Sequence, residues 1–365
     1  MDNFYSANIE QYRYIYDQYE SSDQYAERIL QEAQSIKRGL ETDRDDFLLI
    51  TTILWEPHIF KNLAIYEKLF ASFSKKKIRT ILIINSWYKG LDLTSLNTKV
   101  YYVDYMIWRT YDKVVRQNKS KVNTTWNSDA TKFLILNGKP GRVHRVRLLW
   151  KLKHLLKDAI WSLHVHEGTK EECKVLLPEL SEKEFDTFIK IYNRNPDDAQ
   201  IIFQENSLHY GGIPYDEKMF KNSLFRIITE TYFSVRKGWS PYLTEKTFIT
   251  ILNSLPFIMA GDNHSLHKLK ARGFRTFENY LPISDYDQIS NEEKKLDAIV
   301  TNCNSWITEI GNKEQIRQDV EYNYNNLVNV ALQNKKMLEN ICKEHGIDPT
   351  RINDVCTTYD ALGNQ

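Results

Sequence analysis

Residues 242–261, with the sequence YLTEKTFITILNSLPFIMAG, contain the pattern that most limits how this chain can fold. Thr244 is a typical helix N-cap residue, and apolar side chains recur behind it at helical spacing. Pro256 ends the predicted helix, and the apolar run Phe257–Ala260 predicts a buried strand. A helix that leads directly into a buried strand is the repeating unit of a parallel α/β sheet.

The first turn of this helix contains Glu245 and Lys246. Its backbone N–H groups have no intrahelical partner, so the turn can receive a phosphate, and Lys246 adds a full positive charge. A carboxylate at that place repels phosphate, so we expect Glu245 to face a pair of ribose hydroxyls instead. The alternative is an ordinary capped helix with a solvated Glu–Lys pair.

The flanking sequence extends the pattern on both sides. Residues 224–230 predict a strand that ends at Glu230, residues 265–273 predict a short helix, and residues 274–277 predict a short strand. In parallel sheets, ligands bind beyond the carboxyl ends of the strands. Glu230 and the turn that follows Thr244 are both expected at that end.

An arginine supports the same interpretation. Residues 132–138 predict a strand, and the leucine stripe between Leu148 and Leu156 predicts a helix after it. Arg145 stands three and four residues before the first leucines, so it continues the buried face. A buried guanidinium needs an anion, which is either a diphosphate or a carboxylate such as Glu230.

Glu230, the stretch Tyr242-Leu-Thr-Glu-Lys246 and the run Pro256–Gly261 together resemble the nucleotide-sugar half of α1,3-fucosyltransferase-like glycosyltransferases. The resemblance covers roughly 60 residues closely and about 150 loosely, against a chain length that favours more than one domain. Viral and bacterial chains of this kind continue similarly at residues 266–277.

The resemblance implies a GT-B enzyme, in which two Rossmann-like doubly wound α/β domains face a cleft and helices form the C-terminal tail. It implies transfer of a hexosyl or fucosyl group from a GDP- or UDP-sugar, metal-independent and inverting, with no other cofactor. Arg145, Lys246 and the helix N-terminus would stabilise the departing phosphate. The residues implied in donor binding are Arg145, Glu230, Tyr242, Thr244, Glu245 and Lys246.

An inverting transfer also needs a general base, which is expected from the first domain. The loop after the first predicted strand offers Glu56, and the loop after the third offers Asp104. We take Glu56 as the candidate and Asp104 as the reserve; the alternative for each is a solvated loop carboxylate. Trp108 lies close to the same strand ends, where it could stack on a sugar or belong to the core.

Metal-dependent glycosyltransferases present an Asp-x-Asp triplet on a loop that follows a strand. Asp43-Arg-Asp45 precedes a strand in this sequence, and Asp285-Tyr-Asp287 comes after the predicted core. Neither position fits such a metal site, so no metal ligands are predicted.

The 365 residues exceed one typical core, so we expect three regions: an acceptor-side domain at 1–130, a nucleotide-sugar domain at 131–290 and helices at 291–365 that pack back across both. In the first region, strands are predicted at 47–54, 80–84 and 100–103, with a helix at 61–73. Residues 109–129 are polar and predict a linker or mobile loop.

The net charge of +1 argues against nucleic-acid binding by bulk charge. The four cysteines have no disulfide or metal spacing, and we expect no signal segment and no membrane span. These features predict a cytoplasmic protein, in the host cytoplasm if the chain is viral. Its oligomeric state stays open.

The acceptor class is also open: a hydroxyl of a glycan, lipid, protein or modified nucleic-acid base would fit the donor chemistry. The sequence also leaves two alternatives to this function open. A non-catalytic nucleotide-sugar or glycan-binding protein would keep Arg145 and Lys246 but would need no base. An enzyme that glycosylates modified bases would need a basic rim on the acceptor side.

Overall fold

The chain divides into two compact units, one formed by residues 1–108 with 330–365 and the other by residues 109–329. The three regions predicted from the sequence, 1–130, 131–290 and 291–365, were defined by their expected functions, so their boundaries stay a prediction. The computed structural model describes residues 4–7, 48–53, 63–75, 79–85, 98–117, 125–137, 142–163, 181, 183–184, 208–210, 213–215, 217–233 and 241–351.

The first unit contains a four-stranded parallel sheet. Its elements are β1 (Phe4–Ala7), β2 (Leu48–Ile53), α1 (Leu63–Lys75), β3 (Arg79–Asn85) and β4 (Lys99–Val103). The strands pair in sequence order, and every pair is parallel. Four consecutive side chains, Ile81–Ile84, are buried, which is the pattern of a parallel strand covered on both faces. The three predicted strands and the helix are confirmed; β1 was not predicted.

Helix α2 (Tyr105–Tyr111) follows β4 and continues as a π-helical segment, Asp112–Gln117. Trp108 is buried in a hydrophobic cluster, so it has the core role. The other members of that cluster are Ile81, Ile83, Val103, Leu338, Ile341, Cys342 and Ile347.

The prediction of a linker at residues 109–129 is wrong in its described parts. Residues 109–117 are helical, and Trp126 is buried, with its indole Nε1–H donating to the Leu224 carbonyl oxygen at 2.7 Å. The polar composition of this segment made it resemble a linker, although its few apolar side chains, such as Val114 and Trp126, are buried and hold it in the fold.

The second unit contains another four-stranded parallel sheet, whose strands lie in the order 257–260, 223–229, 132–137 and 159–163, and a two-stranded antiparallel sheet formed by residues 208–210 and 213–215. All the strands of the larger sheet have buried side chains. The elements are β5 (Lys132–Asn137), α3 (Val143–Lys151), β6 (Ala159–Leu163), β7 (Leu208–Tyr210), β8 (Ile213–Tyr215), α4 (Glu217–Lys221), β9 (Ser223–Thr229), α5 (Glu245–Leu252), β10 (Phe257–Ala260) and α6 (Ser265–Lys270).

Two long helices follow, α7 (Glu292–Thr308) and α8 (Lys313–Glu344), as the sequence predicts. Residues 313–329 of α8 belong to the second unit and residues 330–344 to the first. The chain is therefore an α/β protein with two parallel sheets and C-terminal helices. Within the described residues, no helix combines the length and apolar character needed to cross a bilayer.

The strand predicted at residues 274–277 is absent. The main-chain N–H of Arg275 donates to Asn323 Oδ1, and its carbonyl accepts from Asn323 Nδ2, both at 2.7 Å. The Asn323 side chain thus binds the backbone N–H and carbonyl that would otherwise pair with a neighbouring strand. Phe277 is buried for another reason: it packs edge-to-face against Phe257 and Trp306.

Asparagines of the C-terminal helices repeat this two-bond contact at two more places. Asn302 binds the N–H and the carbonyl of Ile283, both at 3.0 Å. Asn334 binds the N–H and the carbonyl of Asp104, at 3.1 and 3.2 Å. All three asparagines are buried. Those at 302 and 323 hold the backbone of loop residues, whereas the Asp104 carbonyl also accepts from the N–H groups of Ile107 and Trp108 in α2. We call these contacts the asparagine clamps.

The clamp at Asn323 gives a stability prediction. Asn323→Ala should lower the free energy of unfolding by about 1–3 kcal/mol, because it leaves the N–H and carbonyl of Arg275 without their partner. Urea unfolding would measure the change. Asn325→Ala is the matched control, because Asn325 is exposed two residues further along the same helix. Equal losses in the two variants would contradict a specific role for the clamp.

Candidate functional site

The order of strands reverses between β5 and β9 in the larger sheet of the second unit. From β5 the chain moves to β6 on one side, and from β9 it moves to β10 on the other. In open α/β sheets, ligands bind in the crevice at the carboxyl ends of the strands where this reversal occurs. Asn137 ends β5, Thr229 ends β9, and Glu230 follows directly.

Side chains join these two strand ends. The Thr229 hydroxyl donates to Asn137 Oδ1 at 2.6 Å, and both residues are buried. Asn137 Nδ2 is buried without a hydrogen-bond partner among the described residues. The strand-end pair therefore carries an amide donor that the described part of the chain does not use.

Arg145 lies in the first turn of α3 and is 5% exposed, as its place on the leucine face predicts. Its Nη2 donates to the main-chain oxygens of Thr229 and Glu230, at 3.4 and 3.3 Å, and its Nε has no partner among the described residues. Burial lowers the pKa of Arg145 to about 10, still well above neutrality. The guanidinium is thus a buried cation whose described contacts are with carbonyls and not with a carboxylate.

The Glu230 carboxylate is fully buried and faces the start of α5. It accepts from the Thr244 N–H at 3.0 Å, the Thr244 hydroxyl at 2.5 Å and the Thr247 hydroxyl at 2.6 Å. An internal carboxylate therefore takes the anion position at the N-terminus of the helix. Glu230 holds the turn in place and does not pair with Arg145 through its side chain.

Gly261 follows β10 and lies beside Glu230. A Cβ atom at residue 261 would lie 3.1 Å from Ser265 Oγ and 3.4 Å from both Cβ and Cγ of Glu230. The backbone at the end of β10 therefore packs closely against Ser265 and Glu230, with little room for a side chain.

Thr244 is the N-cap of α5, as predicted, and its hydroxyl accepts from the Lys246 N–H at 3.4 Å. The Lys246 ammonium donates to Glu245 Oε1 at 2.9 Å and to Thr244 Oγ1 at 3.1 Å. The side chains of Lys246 and Glu245 are only 8% and 6% exposed. The solvated Glu–Lys pair that the sequence left open is therefore excluded, since the pair is buried.

Arg226, within β9, is a further buried cation. Its Nη1 donates to Thr250 Oγ1 at 3.0 Å and to the Lys246 carbonyl at 3.4 Å, so it lies against the first two turns of α5. Burial lowers the pKa of Arg226 to about 10, and the charges of Glu230 and Glu245 oppose that shift. Arg226 therefore keeps its charge at neutral pH and interacts with both carboxylates through space.

His144 adjoins Arg145 and fixes the loop after β9. Its ring stacks on Phe233 with centroids 5.1 Å apart, and its Nε2 lies 3.0 Å from the Glu230 carbonyl oxygen. Because a carbonyl only accepts, Nε2 carries the proton. Burial, together with the charge of Arg145, lowers the pKa of His144 to about 3, so the ring is neutral.

Tyr242 lies at the entry to the same turn. It is buried, its N–H donates to Asp262 Oδ2 at 3.4 Å, and its ring is 5.9 Å from that of Tyr232. The guanidinium of Arg142 lies 5.3 Å from the Tyr232 ring centroid. Two aromatic rings and a third arginine thus lie near the entry to the turn.

Asp287, from the Asp285-Tyr-Asp287 triplet, has other partners. Its Oδ2 accepts from the Leu266 N–H at 2.9 Å, and its Oδ1 lies 3.5 Å from the Lys295 ammonium. Lys295 is itself buried and also donates to the Gly261 carbonyl at 2.9 Å. Within the described residues, no three His, Cys, Asp or Glu side chains are grouped as metal ligands.

The two candidate bases belong to the first unit. Asp104 follows β4 directly, is buried, and has its main chain held by the Asn334 clamp. Glu56 lies outside the described residues. The role of each stays a prediction.

The geometry brings together five of the six donor-site residues around one turn: Glu230, Tyr242, Thr244, Glu245 and Lys246, with Arg145 at the neighbouring strand end. Arg145, Arg226 and Lys246 set three buried cations against two buried carboxylates, Glu230 and Glu245. Two further buried carboxylates, Asp262 and Asp287, both interact with one further buried cation, Lys295. Together these are four cations against four carboxylates, so the case for an anionic ligand rests on the unused donor of Arg145.

Sequence reasoning missed Arg226, Thr247 and Asn137. Arg226 had a visible signal, because a charged residue interrupts an otherwise apolar strand in Leu-Phe-Arg-Ile-Ile. Thr247 stands three residues after the N-cap, where a side chain can face the same partner as Thr244. Asn137 had no signal beyond its place at a strand end.

Comparison of the chain with protein-family models, curated proteins and solved structures found no significant match.

The buried neutral state of His144 gives a prediction on acid stability. Its pKa is about 3 in the folded chain and about 6.5 when exposed, so the unfolded state takes up the extra proton between these values. Stability is therefore lost as the pH falls from about 6.5 towards 3, by at most about 1.4 kcal/mol per pH unit. His144→Gln should show a weaker loss, because glutamine can still donate to the Glu230 carbonyl without titrating.

Chemical unfolding at several pH values from 7 to 4 would test this prediction. His154→Gln is the matched control, because His154 is exposed on the segment after α3. An acid profile of His144→Gln that follows the wild type and this control would contradict the assignment of a buried neutral ring.

Proposed function

We propose that the chain is a glycosyltransferase that moves a sugar from a nucleoside-diphosphate sugar to a hydroxyl acceptor without a metal. The observation that carries the proposal is Arg145: a buried guanidinium, bonded to main-chain oxygens and with a free Nε among the described residues, at the strand-order reversal. A cation in that position lies where parallel α/β sheets bind ligands, and its unused N–H can donate to a diphosphate oxygen.

The donor is proposed to bind along the turn at the start of α5. Arg145 and Lys246 bind the diphosphate of a GDP- or UDP-sugar, Glu245 accepts from the ribose hydroxyls, and Tyr242 lines the entry. Glu230 and Thr244 act by fixing the turn, since the Glu230 carboxylate is already used by Thr244 and Thr247.

The proposed reaction is a displacement at the anomeric carbon. The acceptor oxygen forms the new bond to that carbon, and the bond from the carbon to the β-phosphate oxygen breaks, with its electron pair passing to the phosphate. The acceptor proton goes to a general base. Arg145, Lys246 and the buried Arg226 would stabilise the departing charge in a site that largely excludes water.

The proposed architecture is the GT-B type, with two Rossmann-like doubly wound domains that face a cleft. The two four-stranded parallel sheets, one in each unit, support it. In this arrangement the second domain binds the donor and the first supplies Glu56, or failing that Asp104, as the base of an inverting transfer. The acceptor is a hydroxyl on a glycan, lipid, protein or modified nucleic-acid base.

Donor binding can be tested with GDP and UDP by calorimetry in the presence of EDTA. Lys246→Ala should weaken binding of the preferred nucleotide by about 1–3 kcal/mol, because it removes a charge-assisted contact to phosphate. Lys294→Ala is the matched control, since Lys294 is an exposed lysine in the first turn of α7. Loss of binding in EDTA, or unchanged binding in Lys246→Ala, would refute the proposed donor site.

The proposed base is tested by measuring transfer and donor affinity on the same preparation. Glu56→Ala should keep nucleotide binding, while transfer falls by about 10²–10⁴-fold, because a base acts on the chemical step. Asp104→Asn is the parallel variant for the reserve candidate. Full transfer activity in both variants would place the base elsewhere, and a chain that binds nucleotide but transfers no sugar would favour the non-catalytic alternative.

A further inference from the structure

The two residues assigned to ribose and to phosphate are bound to each other. The Lys246 ammonium and Glu245 Oε1 are 2.9 Å apart, and both side chains are more than nine-tenths buried. Nucleotide binding as proposed above cannot leave this contact unchanged, because each partner then faces a different part of the ligand. The inference that follows rests on the proposed function.

A ligand with phosphate alone meets a neutralised cation. To bind fully to Lys246, it must draw the ammonium away from Glu245, which leaves a buried carboxylate without its direct partner. An uncompensated charge in such a place is strongly unfavourable. The carboxylate also repels the phosphate directly while the pair stays closed.

A ligand with both groups can replace both halves of the pair. Two ribose hydroxyls donate to Glu245 as Lys246 leaves it, and the phosphate accepts from Lys246. Each buried charge then exchanges one partner for another, and neither is left alone.

Arg226 makes the exchange possible. It lies against the same helix through Thr250 Oγ1 and the Lys246 carbonyl, and it interacts with Glu245 through space. Its donors reach no carboxylate among the described residues, so its contacts do not depend on the ion pair. A fixed cation therefore remains near Glu245 after Lys246 has turned to the phosphate. It donates no hydrogen bond to that carboxylate, so the direct partner must still come from the ligand.

We propose that the Glu245–Lys246 ion pair is a specificity device: it opens for a ligand that carries a ribose diol and a diphosphate together, and it disfavours inorganic diphosphate. Glu245 is then a specificity-determining residue in two senses, since it binds the ribose and also withholds Lys246 from other anions.

Calorimetry with inorganic diphosphate and with the preferred nucleoside diphosphate tests the device. Glu245→Gln should bind inorganic diphosphate about tenfold more tightly, because Lys246 is released, and the nucleoside diphosphate about tenfold more weakly. In a Lys246→Ala background, Glu245→Gln should no longer raise the affinity for inorganic diphosphate by that factor. Glu292→Gln, at the exposed first residue of α7, is the matched control and should change neither affinity.

A second measurement needs no variant and so does not depend on how well Glu245→Gln folds. In the wild-type chain, a saturating free nucleoside with the base of the preferred nucleotide should raise the affinity for inorganic diphosphate, because the diol holds Glu245 and frees Lys246. The 2′,3′-dideoxynucleoside should not have this effect.

Independent binding of nucleoside and inorganic diphosphate would overturn the device, as would an unchanged or weaker affinity for inorganic diphosphate in Glu245→Gln. Failure of the wild type to bind any nucleoside diphosphate is a different result, because it removes the proposed donor site itself.

Discussion

The candidate site depends on one interaction, the contact of the Glu230 carboxylate with the first residues of α5. It joins the end of a buried strand to the start of a helix through three hydrogen bonds, all from Thr244 and Thr247. The backbone direction at Thr244 follows from this contact, and so does the place of the next two side chains. A shift of Glu230 would move Glu245 and Lys246 together, because both directly follow Thr244 in the same turn. The sheet holds this turn at a second point, where Arg226 donates to the Lys246 carbonyl.

The fold was largely predictable because its signals are local. Continuous apolar runs predicted the parallel strands, Thr244 and Pro256 bounded α5, and the leucine face placed Arg145 inside. Spacing along a helix or a strand carries this information, so a single sequence suffices. The wrong prediction at residues 274–277 shows the limit. The apolar pattern there is real, but Asn323, from 48 residues away, satisfies the backbone that a strand would have used.

The connections within the site were not predictable from the sequence, because they depend on contacts between residues that lie far apart along the chain. Glu230 was placed correctly at a strand end, yet whether it faced a ligand, Arg145 or the helix depended on contacts made in three dimensions. The buried state of the Glu245–Lys246 pair and the attachment of Arg226 to α5 also depend on packing between elements. The asparagine clamps extend this point, because each one joins a C-terminal helix to main-chain groups at least 19 residues away in the sequence.

Gly261 has a consequence for how the protein tolerates change. It bears no functional group, yet an added Cβ would lie 3.1 Å from Ser265 Oγ and 3.4 Å from the aliphatic part of Glu230. Alanine would therefore fit against Glu230 in ordinary contact if the Ser265 hydroxyl gave way by a few tenths of an ångström. Branched or longer side chains have no such room, so the space at this position limits side-chain size more than it limits chemistry.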